Sequence, residues 1–192
     1  MSLEQLCFFI RNEVTTIHFT APMAKRVGRK LLNMIHLSLR HFPELAGQTI
    51  TVGYTRAHLG AAIPEDLTIR LRARKVSYNT IGHELMHLVQ GRNGIPAGEK
   101  QCDIWTLARA ELFCDEAPTY LCLPESLQAR WPHYALKVRD RCLQAIALRQ
   151  SHRNYIRWLE RELTELSRTT PTASKQLAFE FGEREKWRVG DR

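Results

Sequence analysis

No run of about 18 apolar residues occurs anywhere in the chain, so no segment has the length a helix needs to cross a bilayer. No pair of cysteines has the C-x-x-C spacing, and the five that are present (Cys7, Cys102, Cys114, Cys122 and Cys142) are odd in number. A fully paired disulfide framework is therefore impossible, and a reducing compartment is the simpler reading. Internal repeats and low-complexity segments are lacking too. The opening "MSLEQLCFFIRNEV" has an acid before a five-residue apolar run and an arginine after it. That run is too short for a signal-peptide core or a membrane span. The expectation is a cytoplasmic protein that does not enter a membrane.

What is present is an ordinary globular composition. The 192 residues are 44% hydrophobic and 25% charged, enough for one domain with its own core. The net charge of +8 is unevenly placed. Residues 1–75 carry 11 Lys/Arg against 5 Asp/Glu, residues 76–129 carry 3 against 7, and residues 130–192 carry 14 against 8. The middle of the chain is thus acidic between basic flanks. Such flanks can meet nucleic acid, an acidic partner or a membrane surface, but no nucleic-acid recognition motif accompanies them. The run "RLRARK" (70–75) reads as a solvated strand face, its alternative being a docking surface for an acidic substrate.

Periodicity gives an α+β chain. Residues 3–10 suit a short helix or strand, and residues 21–42 a helix carrying Val27, Leu31, Met34 and Ile35, ended by Pro43. "QTITVGYT" (48–55) and residues 66–74 alternate as strands, with "HLGAAIPE" a loop between them. The second strand, half-exposed, would lie alongside the next helix and offer an edge on which an extended peptide can add. Residues 77–90 switch to helical period with Ile81, Leu85 and Leu88 as the apolar stripe. Ser77 or Asn79 can cap the start, and Gly91 suits the position just past the end. Residues 91–101 read as a loop, 102–117 as a helix, 134–167 as one or two basic helices, and 168–192 as a linker and charged tail after a single domain spanning 1–167.

The helix at 77–90 contains "GHELMHLVQ". Positions i and i+4 share one helix face, so His83 and His87 present two imidazoles to one point, where zinc accepts nitrogen at about 2.0–2.1 Å. Glu84 is offset by about 100° around the helix. That keeps it from being a ligand and leaves its carboxylate able to take a proton from metal-bound water. Gly82, a poor helix former, suggests close packing against a neighbour. The plain alternative is two surface histidines on an amphipathic helix.

Two imidazoles do not complete a catalytic zinc site, which usually has three protein ligands. A third histidine six residues on is excluded, since Gln90 and Asn93 stand where a glycine and a histidine would be needed. Glu111 is the leading candidate. On a helix over 102–117 it shares a face with Ile104, Leu107 and Cys114, and an inward carboxylate is costly unless paired or metal-bound. Asp115, one turn on, can hold the other nitrogen of a ligand histidine, with Asp103 and Glu116 as weaker competitors. Asp115 or Glu116 as ligand, or a distant histidine, remain open, as does a plain salt bridge between Glu111 and Arg109. A second donor for a tetrahedral oxyanion could be Tyr120, His133, Tyr134, His152 or Tyr155.

H-E-x-x-H followed by E-x-x-x-D on a later helix resembles the gluzincin branch of zinc metallopeptidases. The resemblance implies Zn2+ held by His83, His87 and Glu111, with Glu84 catalytic and Asp115 supporting a ligand histidine. "DEAPTYLCLPESL" is loosely similar to a region of the ImmA/IrrE-type metallopeptidases, with Pro118 where asparagine is usual, and the likeness covers about residues 77–126. SprT-like proteases share the first motif but use a third histidine that has no counterpart here. The expected protein is an α+β zincin-like domain with a helical C-terminal part, a hydrolase that cuts a protein or peptide substrate as a zinc metalloprotease. The competing expectation is a non-catalytic binding or regulatory module of the same fold, with nucleic acid as a partner its basic flanks could meet.

Overall fold

The computed structural model describes residues 5–10, 13–92 and 94–169, with side chains from Thr15 onward. The tail 170–192, most of the expected linker and tail segment, and Asn93 lie outside the described residues.

The fold is α+β. Five strands, β1 (Gln5–Ile10), β2 (Glu13–Phe19), β3 (Thr49–Tyr54), β4 (Gly60–Ile63) and β5 (Thr68–Leu71), form one sheet in the order β1-β2-β3-β5-β4. β2, β3 and β5 run parallel, while β1 and β4 are antiparallel additions at the two edges. The period of two is visible in burial. Ile17, Phe19, Ile50, Val52, Ile69 and Leu71 are buried on one face, whereas His18 and Arg70 are exposed on the other. Among the described residues only one face of the sheet is covered, which is why these strands alternate instead of reading as continuous apolar runs.

Two helices lie between β2 and β3: α1 (Ala21–Ala24) and α2 (Arg29–Leu39). One helix was expected over 21–42. The break falls at residues 25–28, where Gly28, a weak helix former, takes up an extended conformation ahead of α2. α3 (Tyr78–Val89) carries the H-E-x-x-H segment and packs its stripe Ile81, Leu85 and Leu88 into the sheet core together with Leu31, Met34 and Ile35 of α2. α4 (Glu99–Arg109) follows and separates two cores. Its Cys102 belongs to the sheet core, and its Ile104, Leu107 and Ala108 belong to a second core built with α5 (Glu125–Ala129), α6 (Trp131–Leu148) and α7 (Tyr155–Arg168). This helical second half is the C-terminal part expected from sequence.

Three expectations are corrected here. β2 is a strand that the sequence reading left unassigned, despite its β-branched run "VTTI". Residues 60–63, expected as a loop, form β4. The strand ending near residue 74 is not an edge, because β5 is flanked by β3 and β4, so the free edge beside α3 belongs to β4. Gly and Ala have low strand propensity, and pairing with β5 alone makes "GAAI" a strand. Among the described residues no helix is long and apolar enough to cross a membrane.

Candidate metal centre

α3 is started from two directions. Ser77 caps it in the ordinary way, its Oγ accepting from the Thr80 N–H at 3.0 Å. The N–H groups of Tyr78 and Asn79 donate to the two carboxylate oxygens of Asp115, each at 2.8 Å. Three of the donors that a helix start leaves without partners are thereby satisfied. Asn79 also donates its amide to the Phe113 carbonyl at 2.8 Å. Gly82 is needed where it stands, since a Cβ there would meet the Phe113 ring at 2.6 Å and Thr106 Cγ2 at 2.9 Å. The helix is thus pinned tightly against the segment that follows α4.

At the end of α3 the chain turns at Gly91, whose φ of +74° favours glycine. Gln90 then organises the loop. Its amide donates to the carbonyls of Pro96 and Gly98, which leaves Oε1 to accept from His87 Nδ1 at 2.8 Å. Gln90, which stands where a third-histidine pattern would need glycine, is therefore the residue that orients His87. α4 opens after Gly98, at φ +114°, three residues earlier than the sequence suggested.

That early start sets the site. Glu99, in the first turn of α4, places Oε2 at 3.1 Å from His83 Nε2 and 3.2 Å from His87 Nε2, and the two Nε2 atoms are 3.1 Å apart. One turn further, Asp103 is fully buried, and its Oδ1 lies 2.8 Å from His83 Nδ1. Its Oδ2 accepts from the N–H groups of Tyr120 and Leu121 at 2.6 and 2.8 Å. With both Nδ1 atoms donating outward, two imidazole lone pairs and a carboxylate oxygen face one another. Three acceptors at such separations repel unless a cation sits among them. Tetrahedral bonds of about 2.0–2.1 Å put ligand atoms about 3.3 Å apart, close to the spacing observed.

His83, His87 and Cys102 also form a group whose ligand atoms all lie within 4.8 Å of one another, a group that can bind a metal ion. The chemistry favours Glu99 over the thiol as the third arm. Cys102 Sγ donates to the His83 main-chain carbonyl at 3.0 Å, and burial pushes its pKa well above the ordinary thiol value. A metal needs the thiolate. Glu99, half exposed, reaches both imidazoles directly.

Of the expected site residues, the structure brings His83, Glu84 and His87 together. It places Glu111 elsewhere. α4 ends at Arg109, Ala110 is extended, and Glu111 begins a short 3₁₀ turn (Glu111–Cys114) with its side chain exposed. It makes no hydrogen bond or ion pair with either histidine, and Arg109 pairs instead with Glu44 at 2.8–2.9 Å. Asp115 supports the start of α3, not a ligand histidine, and Glu116 is exposed on the surface. Asp103, a weaker competitor in the sequence, stands beside His83 where Asp115 was expected, and Glu99, one turn before it, is the residue missed; its place directly after a glycine and four residues before an aspartate was the available signal.

Glu84 is buried at the floor of a cleft of about 570 Å³ that also exposes His83, His87, Glu99 and Tyr120 and runs along β4. Gly60 of β4 lies directly on it. A Cβ at position 60 would collide with the Glu84 carboxylate and come within 2.6 Å of its Cγ. In the metal-free protein, burial above all, opposed by His83 and reinforced by the charge of Glu99, raises the Glu84 pKa to about 7. Burial opposes the charged form of His83, yet its hydrogen bonds to Asp103 and Glu99 and the charges of Asp103 and Glu84 outweigh this and raise its pKa. Without a metal, a proton is the cation this cluster favours. Of the candidate oxyanion donors, Tyr120 lines the cleft, its ring stacked on His83 with centroids 5.5 Å apart. Tyr134 and Tyr155 are buried in the second core. Comparison of the chain with protein-family models, with curated proteins and with solved structures finds no match.

Proposed function

We propose that the protein is a zinc-dependent metallopeptidase that hydrolyses peptide bonds in a protein substrate. The observation that carries the reading is the triangle of His83 Nε2, His87 Nε2 and Glu99 Oε2, with all three sides at 3.1–3.2 Å, set beside a buried carboxylate in an open cleft. Three N/O ligands that leave the rest of the coordination sphere open to a cleft are the donor set of a catalytic zinc site. Zinc bound there would supply a polarised water and a Lewis acid for the scissile carbonyl.

The chain's own groups do the remaining work. Glu84 accepts a proton from the attacking water and passes it to the amide nitrogen as the C–N bond breaks. Asp103 fixes the tautomer and the ring plane of His83, and Gln90 does the same for His87. Tyr120 is positioned in the cleft to donate to the oxyanion. A peptide is favoured as substrate because, among the described residues, β4 pairs only with β5, which offers its outer N–H and C=O groups to an extended chain.

The test is Glu84→Gln in the zinc-loaded protein. Zinc content should stay at one equivalent while cleavage of a peptide library falls at least about 100-fold. An unchanged rate overturns the mechanism. A purified protein that takes up no zinc and gains no activity from added zinc points to the non-catalytic module.

A further inference from the structure

A second depression, of about 770 Å³, opens next to the cleft, and Leu59 lines both. Its size is that of ordinary ligand sites. Met34, Leu37, Leu59 and Val76 give it apolar walls, and Leu37 and Leu59 are 39% and 42% exposed. Lys30, Arg74 and Lys75 stand around it, all exposed and none in an ion pair among the described residues. Two anions also border it. The carboxylate of Asp115 is already taken up by the first N–H groups of α3, which leaves Glu116 as the one uncommitted negative charge against three positive ones.

We propose that this depression is the specificity subsite of the cleft and takes an acidic segment with an apolar side chain, supplied by the peptide substrate itself. The inference rests on the reading of the cleft as a peptide site. An extended chain advances about 3.3 Å per residue. A peptide laid along the edge of β4, with its scissile bond beside Glu84 under Gly60, passes Leu59 within a residue or two. It enters the depression about two to four residues from the cut. There an aliphatic side chain covers Leu37, Leu59 and Met34, while flanking carboxylates meet Lys30, Arg74 and Lys75. The polarity is the reverse of that at the metal, where the protein supplies the negative charge. The cleft therefore sorts substrates by where their acidic residues lie relative to the cut. The two basic residues of "RLRARK" that reach the depression, Arg74 and Lys75, have this as their task.

The probes are three fluorescein-labelled decapeptides that differ only in a Glu-Leu-Glu, Gln-Leu-Gln or Lys-Leu-Lys block. Binding is read by anisotropy in zinc-loaded, full-length E84Q protein, which does not consume them. Expected is tightest binding of the Glu-Leu-Glu peptide, at least about tenfold over Lys-Leu-Lys at low salt, and a preference that collapses as ionic strength rises. R74Q/K75Q should shrink the preference and K30E/R74E/K75E should invert it. These side chains are exposed, so both variants are expected to fold. Equal affinity for the three peptides, binding of none, or an unchanged order in the charge-reversed variant overturns the subsite. Mass spectrometry of the same peptides with wild-type enzyme keeps the two readings apart. Preference without cleavage retains the subsite and sinks the peptidase. Equal cleavage of all three with no preference does the opposite.

Discussion

The sequence contains the same five-residue pattern twice, Glu-Lys-Gln-Cys-Asp at 99–103 and Glu-Leu-Phe-Cys-Asp at 111–115, and the two copies do different things. In the first, the backbone is a regular helix, so Glu99 and Asp103 lie one turn apart on one face and both reach His83. In the second, the helix has already ended, and Glu111 turns to solvent while Asp115 turns back to the start of α3. Spacing carries chemical meaning only through the backbone that realises it. One copy is placed to hold a cation, and the other holds the helix that presents the histidines.

Truncating the matched glutamate of each copy tests that division. The largest effect should come from Glu99→Ala, which removes the proposed third ligand and should lower zinc affinity by more than the roughly 100-fold that loss of an outer partner costs. Glu111→Ala should leave affinity unchanged in the same chelator-competition titration. If the outcomes are reversed, the second copy is the ligand.

The next effect is electrostatic. The Glu84 pKa of about 7 in the folded, metal-free protein lies above its ordinary 4.5. Below pH 4.5 both states hold the proton. As pH rises, the unfolded chain releases it first, so stability falls between about 4.5 and 7 and then levels off. The gap corresponds to a loss of up to about 3 kcal/mol. Urea denaturation of the chelator-treated protein across this range should show the decline, and Glu84→Gln should flatten it. Glu99→Gln should reduce it modestly, since Glu99 adds to the shift, and Glu111→Gln should not.

The two aspartates divide in the same manner. Asp103→Asn should cost about 10–100-fold in zinc affinity. Asp115→Ala should lower stability by about 1 kcal/mol, as for loss of a helix cap, with zinc affinity unchanged. The smallest effect is expected at the cysteines. If Glu99 is the third arm, Cys102→Ala changes zinc affinity by less than about tenfold, and a larger loss moves the assignment to the thiol.

Much of the site helix was legible in the sequence, for local reasons. Ser77, the stripe Ile81, Leu85 and Leu88, and Gly91 are each readable within a turn of where they act, and so is the convergence of His83 and His87. The approach of Glu99 to them was not, because it depends on where α4 begins. The Gly- and Pro-rich stretch 91–98 reads as loop, and nothing local says that the helix resumes at Glu99 and not at Cys102. The apolar periodicity of 104, 107 and 114 then invited a helix through Glu111, whereas Ala110 takes an extended backbone so that Phe113 can pack against Gly82. β4 was hidden for a related reason. Gly60 and two alanines have no strand signature of their own, and the glycine is there to leave room for Glu84.

The bond from Asp115 to the start of α3 also sets an order of events. The residue that accepts from Tyr78 lies 37 positions later in the chain. At about 5–20 residues per second, a ribosome that has just finished the two histidines works for about one and a half to six more seconds before it delivers the anchor for their helix. Glu99 arrives in that interval, ahead of the anchor. A nascent chain therefore holds His83, His87 and Glu99 before it holds the contact that fixes the start of α3, and the cluster stays unfinished until the chain has passed residue 115.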